Sequence, residues 1–364
     1  MATQFVKIGL IYTINKYIIL GINFIRGIVV ATYLGPEGLG TYALIILILE
    51  YLNYSNLGIF FSMNREISIS IGEKGKEGYV QEVLNNSLSF AISMSLLFLA
   101  IFLLFYFFFY EFVPQDIYKY LFSIYVLMLI YQAKTFLLTY FRLFDKYLAL
   151  NLVEFSTSLL MFLGIYIFIE DFLIDAVIFS TVIANGVVVI GALFLVSSFK
   201  LRFKYSLLKF LIFAGIPMLL FNLFVQLLTS VDRLMLSNLV IRESLGHYHF
   251  GYLLSMGIFA AFNSIAFLFI PKWLKKFHQE GSQGDKVSLE VKFQASVAEI
   301  AVIVLSIIGI ILMPLFLRYF LPEYETSILV FQLLLFGYCL NAMGFFPATF
   351  LLSNNHQLKL LPLI

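Results

Sequence analysis

Long apolar stretches separated by short polar segments recur along the whole chain. Each stretch has about 20 residues or more, the length that a helix needs to cross a hydrocarbon core of about 30 Å. The pattern predicts ten transmembrane helices, at 5–33, 38–62, 83–110, 118–140, 148–169, 174–197, 208–231, 248–271, 293–316 and 326–352. We therefore expect an all-α polytopic membrane protein.

The composition changes this picture little but excludes several classes of protein. Only 12% of the residues are charged, about half the share in soluble domains. The net charge of +2 is thinly spread, so nucleic acid is not an expected partner. Because Cys339 is the single cysteine, disulfides within the chain and cysteine-based metal sites are excluded.

Lysine and arginine predict the orientation. Sixteen of the 23 lie in the N-terminal segment, the even-numbered connections and the C-terminal segment, whereas only Lys119, Arg233, Arg242 and Arg318 lie on the other side. Positive residues accumulate on the cytoplasmic side of a membrane. The bias predicts a multi-pass protein with a cytoplasmic N-terminus.

The chain contains an internal repeat with an offset of 206 residues. Glu37–Tyr42 and Glu243–Tyr248 share the pattern E-x-L-G-x-Y, each at the outer end of an odd-numbered span. Six spans separate the copies, which predicts two like halves related by an axis along the membrane normal. We expect one six-helix bundle at 1–200 and a second at 201–364. Only four spans are visible in the second, which favours a truncated reading frame over a native ten-helix protein.

Two helices carry polar stripes. Span 1 places Tyr12, Lys16, Asn23 and Arg26 within about 80° of one another. Span 7 carries Asn222, Gln226, Thr229 and Arg233, with Asp232 beside them. Ionisable residues in a membrane are functional candidates because their burial in hydrocarbon is costly. We expect the stripes to line a central, water-accessible cavity; the alternative is hydrogen bonding between packed helices.

Glu50, near the middle of span 2, is the acidic candidate. It could form an ion pair with Lys16 or Arg26, or take part in ion coupling, and Asp232 is a second coupling candidate. The sequence has no Walker motif, metal-ligand cluster or catalytic constellation. It therefore predicts a protein that is not an enzyme and has no cofactor.

Four short motifs resemble a known family. They are Leu34–Tyr42 after span 1, Asn64–Ile67 after span 2, Gly215–Pro217 in span 7 and Ser230–Arg233 with its D-R pair. They are similar to the polysaccharide transporter family of the multidrug/oligosaccharidyl-lipid/polysaccharide (MOP) exporter superfamily. The resemblance implies two bundles around a V-shaped cavity. It also implies a Wzx-type flippase for O-antigen (lipopolysaccharide) or capsule synthesis in the bacterial inner membrane.

The implied substrate is an oligosaccharide on undecaprenyl pyrophosphate. Lys16, Arg26 and Arg233 could bind the pyrophosphate, and a polysaccharide polymerase and other assembly proteins are the implied partners. Three alternatives stay open. A drug/cation antiporter of the same superfamily would favour acidic cavity residues, and a membrane glycosyltransferase or polymerase would need a long outer loop. The third is an inactive truncated product.

Overall fold

The computed structural model describes residues 2–343, apart from 72, 74, 109–110, 112–113, 197–199 and 261–288. Regular structure in these residues is entirely helical, which confirms the predicted all-α class. The main helices are α1 Ala2–Leu52, α2 Ile59–Ser70, α3 Glu77–Phe108, α4 Gln115–Tyr118, α5 Leu121–Leu143, α6 Tyr147–Leu193, α7 Tyr205–Leu239, α8 242–260, α9 Leu289–Phe320 and α10 Ser327–Met343. In the described part of the chain, α1, α3, α5, α6, α7 and α9 are long and apolar enough to cross a membrane.

Helix α6 contains two of the predicted spans. Its 47 residues would extend about 70 Å if straight, more than twice the thickness of a hydrocarbon core. It is not straight, because Leu173 has a φ of 48° and a ψ of −120°. A Cβ atom on Gly164 would lie 2.8 Å from Ser180 Oγ, and residues 16 apart can meet only if the helix folds back. The two arms of α6 therefore form an antiparallel hairpin.

Helix α1 also contains two predicted spans, and it breaks at Gly35. This residue has a φ of 62° and a ψ of 178°, a region open essentially to glycine alone. Pro36 begins the next arm, where its missing N–H costs no hydrogen bond. Gly35 and Pro36 therefore end the first arm and begin the second within two residues. The predicted connection between spans 1 and 2 was longer, at 34–37.

The first arm of α1 runs parallel to the first arm of α6. Near one end, Asn15 Nδ2 donates to Asn151 Oδ1 (3.3 Å), and near the other, Tyr33 Oη donates to Glu170 Oε1 (2.9 Å). The two contacts are 18 and 19 residues apart along their helices, or about 27 Å. The pair thus extends through the thickness of a hydrocarbon core.

The predicted span 2 is interrupted near its end. A 3₁₀ turn, Asn53–Asn56, is followed by Leu57 and Gly58 in the left-handed region, and α2 then begins. Gln132 of α5 donates to the Asn53 carbonyl oxygen (3.0 Å) and to Ser55 Oγ (2.9 Å). Irregular backbone within a membrane needs such internal partners, so this buried amide satisfies the break.

The contacts divide the chain into two compact units. One unit comprises Met1–Asn15 and Ile28–Gly246, and the other comprises Lys16–Gly27 and His247–Ile364. The core of the first contains buried Ile59, Met63, Phe136 and Leu211 among other apolar residues. In the second, the rings of Phe250 and Tyr324 lie 4.2 Å apart. The middle of predicted span 1 therefore packs with residues of the second predicted half.

Candidate functional site

Glu50 lies at the centre of a polar cluster between the second arm of α1 and α7. Its Oε2 accepts a hydrogen bond from Gln226 Nε2 (2.8 Å) and lies 3.3 Å from Arg233 Nη2. Arg233 Nη1 is 3.4 Å from Glu50 Oε1. The side chain of Arg233 is 2% exposed and that of Glu50 is 29% exposed. A carboxylate and a guanidinium thus balance each other between two helices of membrane-spanning length.

Further contacts continue along the same two segments. The hydroxyls of Tyr51 and buried Ser230 share a hydrogen bond of 2.7 Å. Tyr54 Oη donates to the Asn222 carbonyl oxygen (3.3 Å). Contacts move backward along α7 as they move forward along α1, so the helices are antiparallel. We call this contact surface of residues 50–54 with residues 222–233 the polar seam.

Glycines permit very close backbone contact beyond both ends of the polar seam. At one end, a Cβ atom on Gly58 would lie 2.7 Å from the Gly215 carbonyl oxygen. At the other, a Cβ atom on Gly40 would overlap the carbonyl oxygen of Arg242 at the start of α8. Small residues allow helices to approach in this way inside a bilayer. The 18 positions from Gly40 to Gly58 would extend about 27 Å if they were α-helical throughout, close to a full hydrocarbon thickness.

The contact at Gly40 is reciprocal under the 206-residue repeat. Gly40 meets the carbonyl of Arg242, while Gly246 meets the carbonyl of Pro36. Adding 206 to 40 and 36 gives 246 and 242. Gly40 therefore meets the residue equivalent to Pro36, and the residue equivalent to Gly40 meets Pro36. A two-fold relation between the two copies produces such a reciprocal pair of contacts. The geometry agrees with the repeat of the E-x-L-G-x-Y motifs.

The same offset identifies a second seam of different chemistry. Under this offset Tyr51 is equivalent to Gly257, and Ser230 is equivalent to Phe24. Gly257 and Phe24 also lie in contact, because a Cβ atom on Gly257 would lie 3.2 Å from the Phe24 ring. A large residue faces a small one in both pairs, but only the first pair has a hydrogen bond. The equivalents of Glu50 and Arg233 are Met256 and Gly27. The charged cluster therefore breaks the symmetry of the repeat.

The predicted site residues occupy several environments. Lys16, Asn23 and Arg26 are half-buried on α1 in the second unit, and the side chain of Tyr12 lies outside the described residues. The shared cavity for both stripes therefore stays a prediction.

The six other predicted site residues are on α7 or pair with it. Asn222 Nδ2 donates to the Met218 carbonyl (2.7 Å), and exposed Thr229 donates to the Val225 carbonyl (3.0 Å). Half-buried Asp232 accepts the amide N–H of Arg233 at 2.7 Å. The structure thus brings together Glu50, Gln226 and Arg233, whereas Asn222 and Thr229 use their side chains within their own helix.

Two further groups were not assigned a role from the sequence. The Tyr51–Ser230 pair belongs to the polar seam, and Gln132 holds the break in span 2. A single amide in an apolar stretch is a signal for helix–helix hydrogen bonding, so Gln132 was open to prediction. Among the described residues, the structure places no three His, Cys, Asp or Glu side chains where they could bind a metal ion.

Comparison with models of protein families shows which family the chain belongs to. Residues 5–272 match the model of a family described as polysaccharide biosynthesis protein. The chain belongs to this family. Its members are the Wzx-type polysaccharide flippases of the MOP superfamily, which confirms the resemblance of the sequence motifs. A search of curated proteins found no match. Membership of this polysaccharide biosynthesis family makes the chain a multi-pass membrane protein of polysaccharide transport.

Proposed function

We propose that this chain moves an oligosaccharide linked to undecaprenyl pyrophosphate across the bacterial inner membrane. The sugar and pyrophosphate would pass through a cavity while the polyprenyl tail stays in the bilayer. The N-terminus would be cytoplasmic, as the distribution of Lys and Arg predicts. Family membership supports a transporter of this kind.

The observation that carries the proposal is the pair of half-buried cations, Lys16 and Arg26, on one face of α1. They are ten residues apart, which corresponds to about 15 Å along the helix. Cations at such positions are costly in a membrane and mark substrate pathways. A pyrophosphate is a strong anion, and guanidinium and ammonium groups bind such oxygens through charge-assisted hydrogen bonds. Asn23, between them, adds an amide for sugar hydroxyls.

The state of Glu50 favours an anionic over a cationic substrate. Its carboxylate faces Arg233 and Gln226 within the polar seam. A drug/cation antiporter would need an acidic group directed at its substrate. Because Arg233 balances the charge of Glu50, this pair offers no net negative charge to a cationic substrate.

Alternating access requires contacts that can separate, and the polar seam is suited to this. Water can replace the hydrogen bonds of Glu50, Tyr51 and Gln226 when the helices part, whereas an apolar contact gains nothing from water. We infer that Glu50 and Asp232 couple this movement to a proton or sodium gradient. Binding of a cation by Glu50 would compete directly with Arg233.

Transport of the lipid-linked oligosaccharide into proteoliposomes tests the proposal. Lys16→Ala and Arg26→Ala should each reduce the rate about 10-fold or more, since a hydrogen bond to a charged group contributes about 1.5–3 kcal/mol. The charge-conserving Lys16→Arg and Arg26→Lys should retain most of the rate. Lys209→Ala, at an exposed position of α7, is the matched control. Normal transport by the double alanine variant would refute the anion-binding role.

A further inference from the structure

The connection between α6 and α7 is fixed to α3 because three of its main-chain N–H groups donate hydrogen bonds to side chains of α3. Asn85 Oδ1 accepts the N–H of Lys200 (3.1 Å), Ser89 Oγ that of Arg202 (2.9 Å) and Asn86 Oδ1 that of Lys204 (2.6 Å). The three accepting side chains are at most 4% exposed. Donors at every second residue are the pattern of an extended segment. We call residues 200–204, which precede α7, the linker strap.

An extended segment directs successive side chains to opposite sides, so the linker strap has two different faces. Lys200, Arg202 and Lys204 share one face, and all three are exposed. Leu201 and Phe203 share the other, with exposed fractions of 67% and 64%. The main-chain N–H groups of Lys200, Arg202 and Lys204 lie along the edge between these two faces and donate to α3. The sequence K-L-R-F-K therefore forms an amphipathic ribbon with one cationic and one apolar side.

The position of the linker strap is that of a membrane interface. It joins the end of α6 to the start of α7, and both helices have the length and composition to cross a membrane. Apolar and aromatic side chains at this depth enter the headgroup and acyl boundary, while Lys and Arg stay with the phosphates. The exposed apolar residues of the strap thus have a natural partner in lipid.

A polar cavity of about 640 Å³ lies between the strap and the first turns of α3. Lys200 and Arg202 line it, together with Tyr79, Gln81 and Glu82. Glu82 is paired with Lys204 at 2.8 Å, which balances its charge. Among the described residues, Lys200 and Arg202 form no ion pair with a carboxylate. The cavity is therefore net positive, and the positive end of the α3 dipole adds to this.

We propose that the linker strap and this cavity bind the headgroup of an anionic phospholipid, with the phosphate at Lys200 and Arg202 and an acyl chain along Leu201 and Phe203. The lipid would belong to the leaflet that the charge distribution predicts to be cytoplasmic, where anionic headgroups attract Lys and Arg. This site differs from the proposed transport pathway, because it is built from α3 and the connection that joins the two predicted halves. A lipid bound there would fix the connection in place.

Native mass spectrometry of the full chain in detergent, titrated with dioctanoyl phosphatidylglycerol, tests the proposal. Lys200→Gln with Arg202→Gln should weaken binding about 30-fold, which corresponds to about 1 kcal/mol for each cationic side chain at a membrane surface. Both substitutions keep the main-chain N–H groups, so the hydrogen bonds to α3 remain. The charge-conserving Lys200→Arg with Arg202→Lys should bind as the parent does.

The matched control is Arg65→Gln with Lys76→Gln, which removes two exposed cations of the same predicted side outside the strap. It should leave phosphatidylglycerol binding unchanged. Equal loss in this control, or unchanged binding by the strap variant, would overturn the proposal. So would equal affinity for dioctanoyl phosphatidylcholine, because the headgroup would then carry no net negative charge. Displacement of the lipid by low-millimolar inorganic phosphate would show a free-anion site instead.

Discussion

Replacement of Glu50 by Gln should destabilise the protein more than replacement of Arg233 by Gln. Glu50→Gln keeps the size of the side chain but leaves the guanidinium of Arg233 without its carboxylate, and Arg233 is only 2% exposed. Arg233→Gln leaves Glu50, which is 29% exposed and still accepts the hydrogen bond of Gln226 at 2.8 Å. The more deeply buried charge therefore determines the larger loss.

The magnitude follows from the geometry. Breaking a buried ion pair from one side costs about 3–5 kcal/mol in soluble proteins. The N–O distances of 3.3 and 3.4 Å between Arg233 and Glu50 exceed the roughly 2.7–2.9 Å of strong charge-assisted hydrogen bonds. Polar contacts between membrane helices also contribute less than this value for soluble proteins. We expect about 2–3 kcal/mol for Glu50→Gln and about 1 kcal/mol for Arg233→Gln. The apparent melting temperature should fall by about 4–6 °C and about 2 °C respectively.

Thermal stability in detergent, followed by fluorescence-detected size exclusion, measures both shifts. The double variant should lose less than the sum of the single losses, since residues in contact couple by about 0.5–3 kcal/mol. Ser230→Ala is the control within the seam, because it removes only neutral hydrogen bonds, with Tyr51 Oη and with the Gln226 carbonyl oxygen, each worth about 1 kcal/mol. Equal shifts for the two single variants, or strict additivity in the double variant, would refute the ion-pair reasoning.

Three further predictions use the same measurement. Gly40→Ala and Gly246→Ala should each destabilise by about 1–3 kcal/mol through overpacking, because each Cβ would overlap a carbonyl oxygen, whereas Gly21→Ala, with no atom within 4 Å of its Cβ, should not. Leu173→Gly should raise the stability by about 1 kcal/mol, since φ of 48° is strained for leucine; a loss of stability would contradict the hairpin at this residue. Asn86→Ala should cost about 1–3 kcal/mol because the amide of Lys204 loses its acceptor, and an unchanged melting temperature would show that the strap does not depend on this bond.

The sequence was sufficient for the features that a bilayer imposes on each segment alone. A spanning helix must be long enough, apolar enough and internally hydrogen-bonded, so length and composition predicted the helical class. The Gly-Pro pair at 35–36 also marked the break in α1, since glycine tolerates the positive φ and proline begins the next helix. The motifs around it indicated the family that residues 5–272 confirm.

Two other local breaks were not predicted. Leu173 reverses α6 although leucine has no preference for positive φ, so the packing of the two arms must hold it there. The interruption at Asn53–Asn56 was predicted as part of span 2, although Asn53, Ser55 and Asn56 are polar and Gly58 follows with a positive φ, and it is stabilised by Gln132 from another helix. At Leu173 the tertiary contacts override the local preference, whereas at Asn53–Asn56 they stabilise a break that the polar residues and Gly58 already favour.

Hydropathy alone predicted which segments are long and apolar enough to cross a membrane and which of their residues are polar. Only the tertiary structure decided that Glu50 pairs with Arg233, whereas the sequence offered Lys16 and Arg26 as partners. The reason is physical, because hydrophobic length acts within one helix, while an ion pair depends on which helices are neighbours and on their relative height. Residues 183 positions apart come within hydrogen-bonding distance only when two antiparallel helices pack at one particular register.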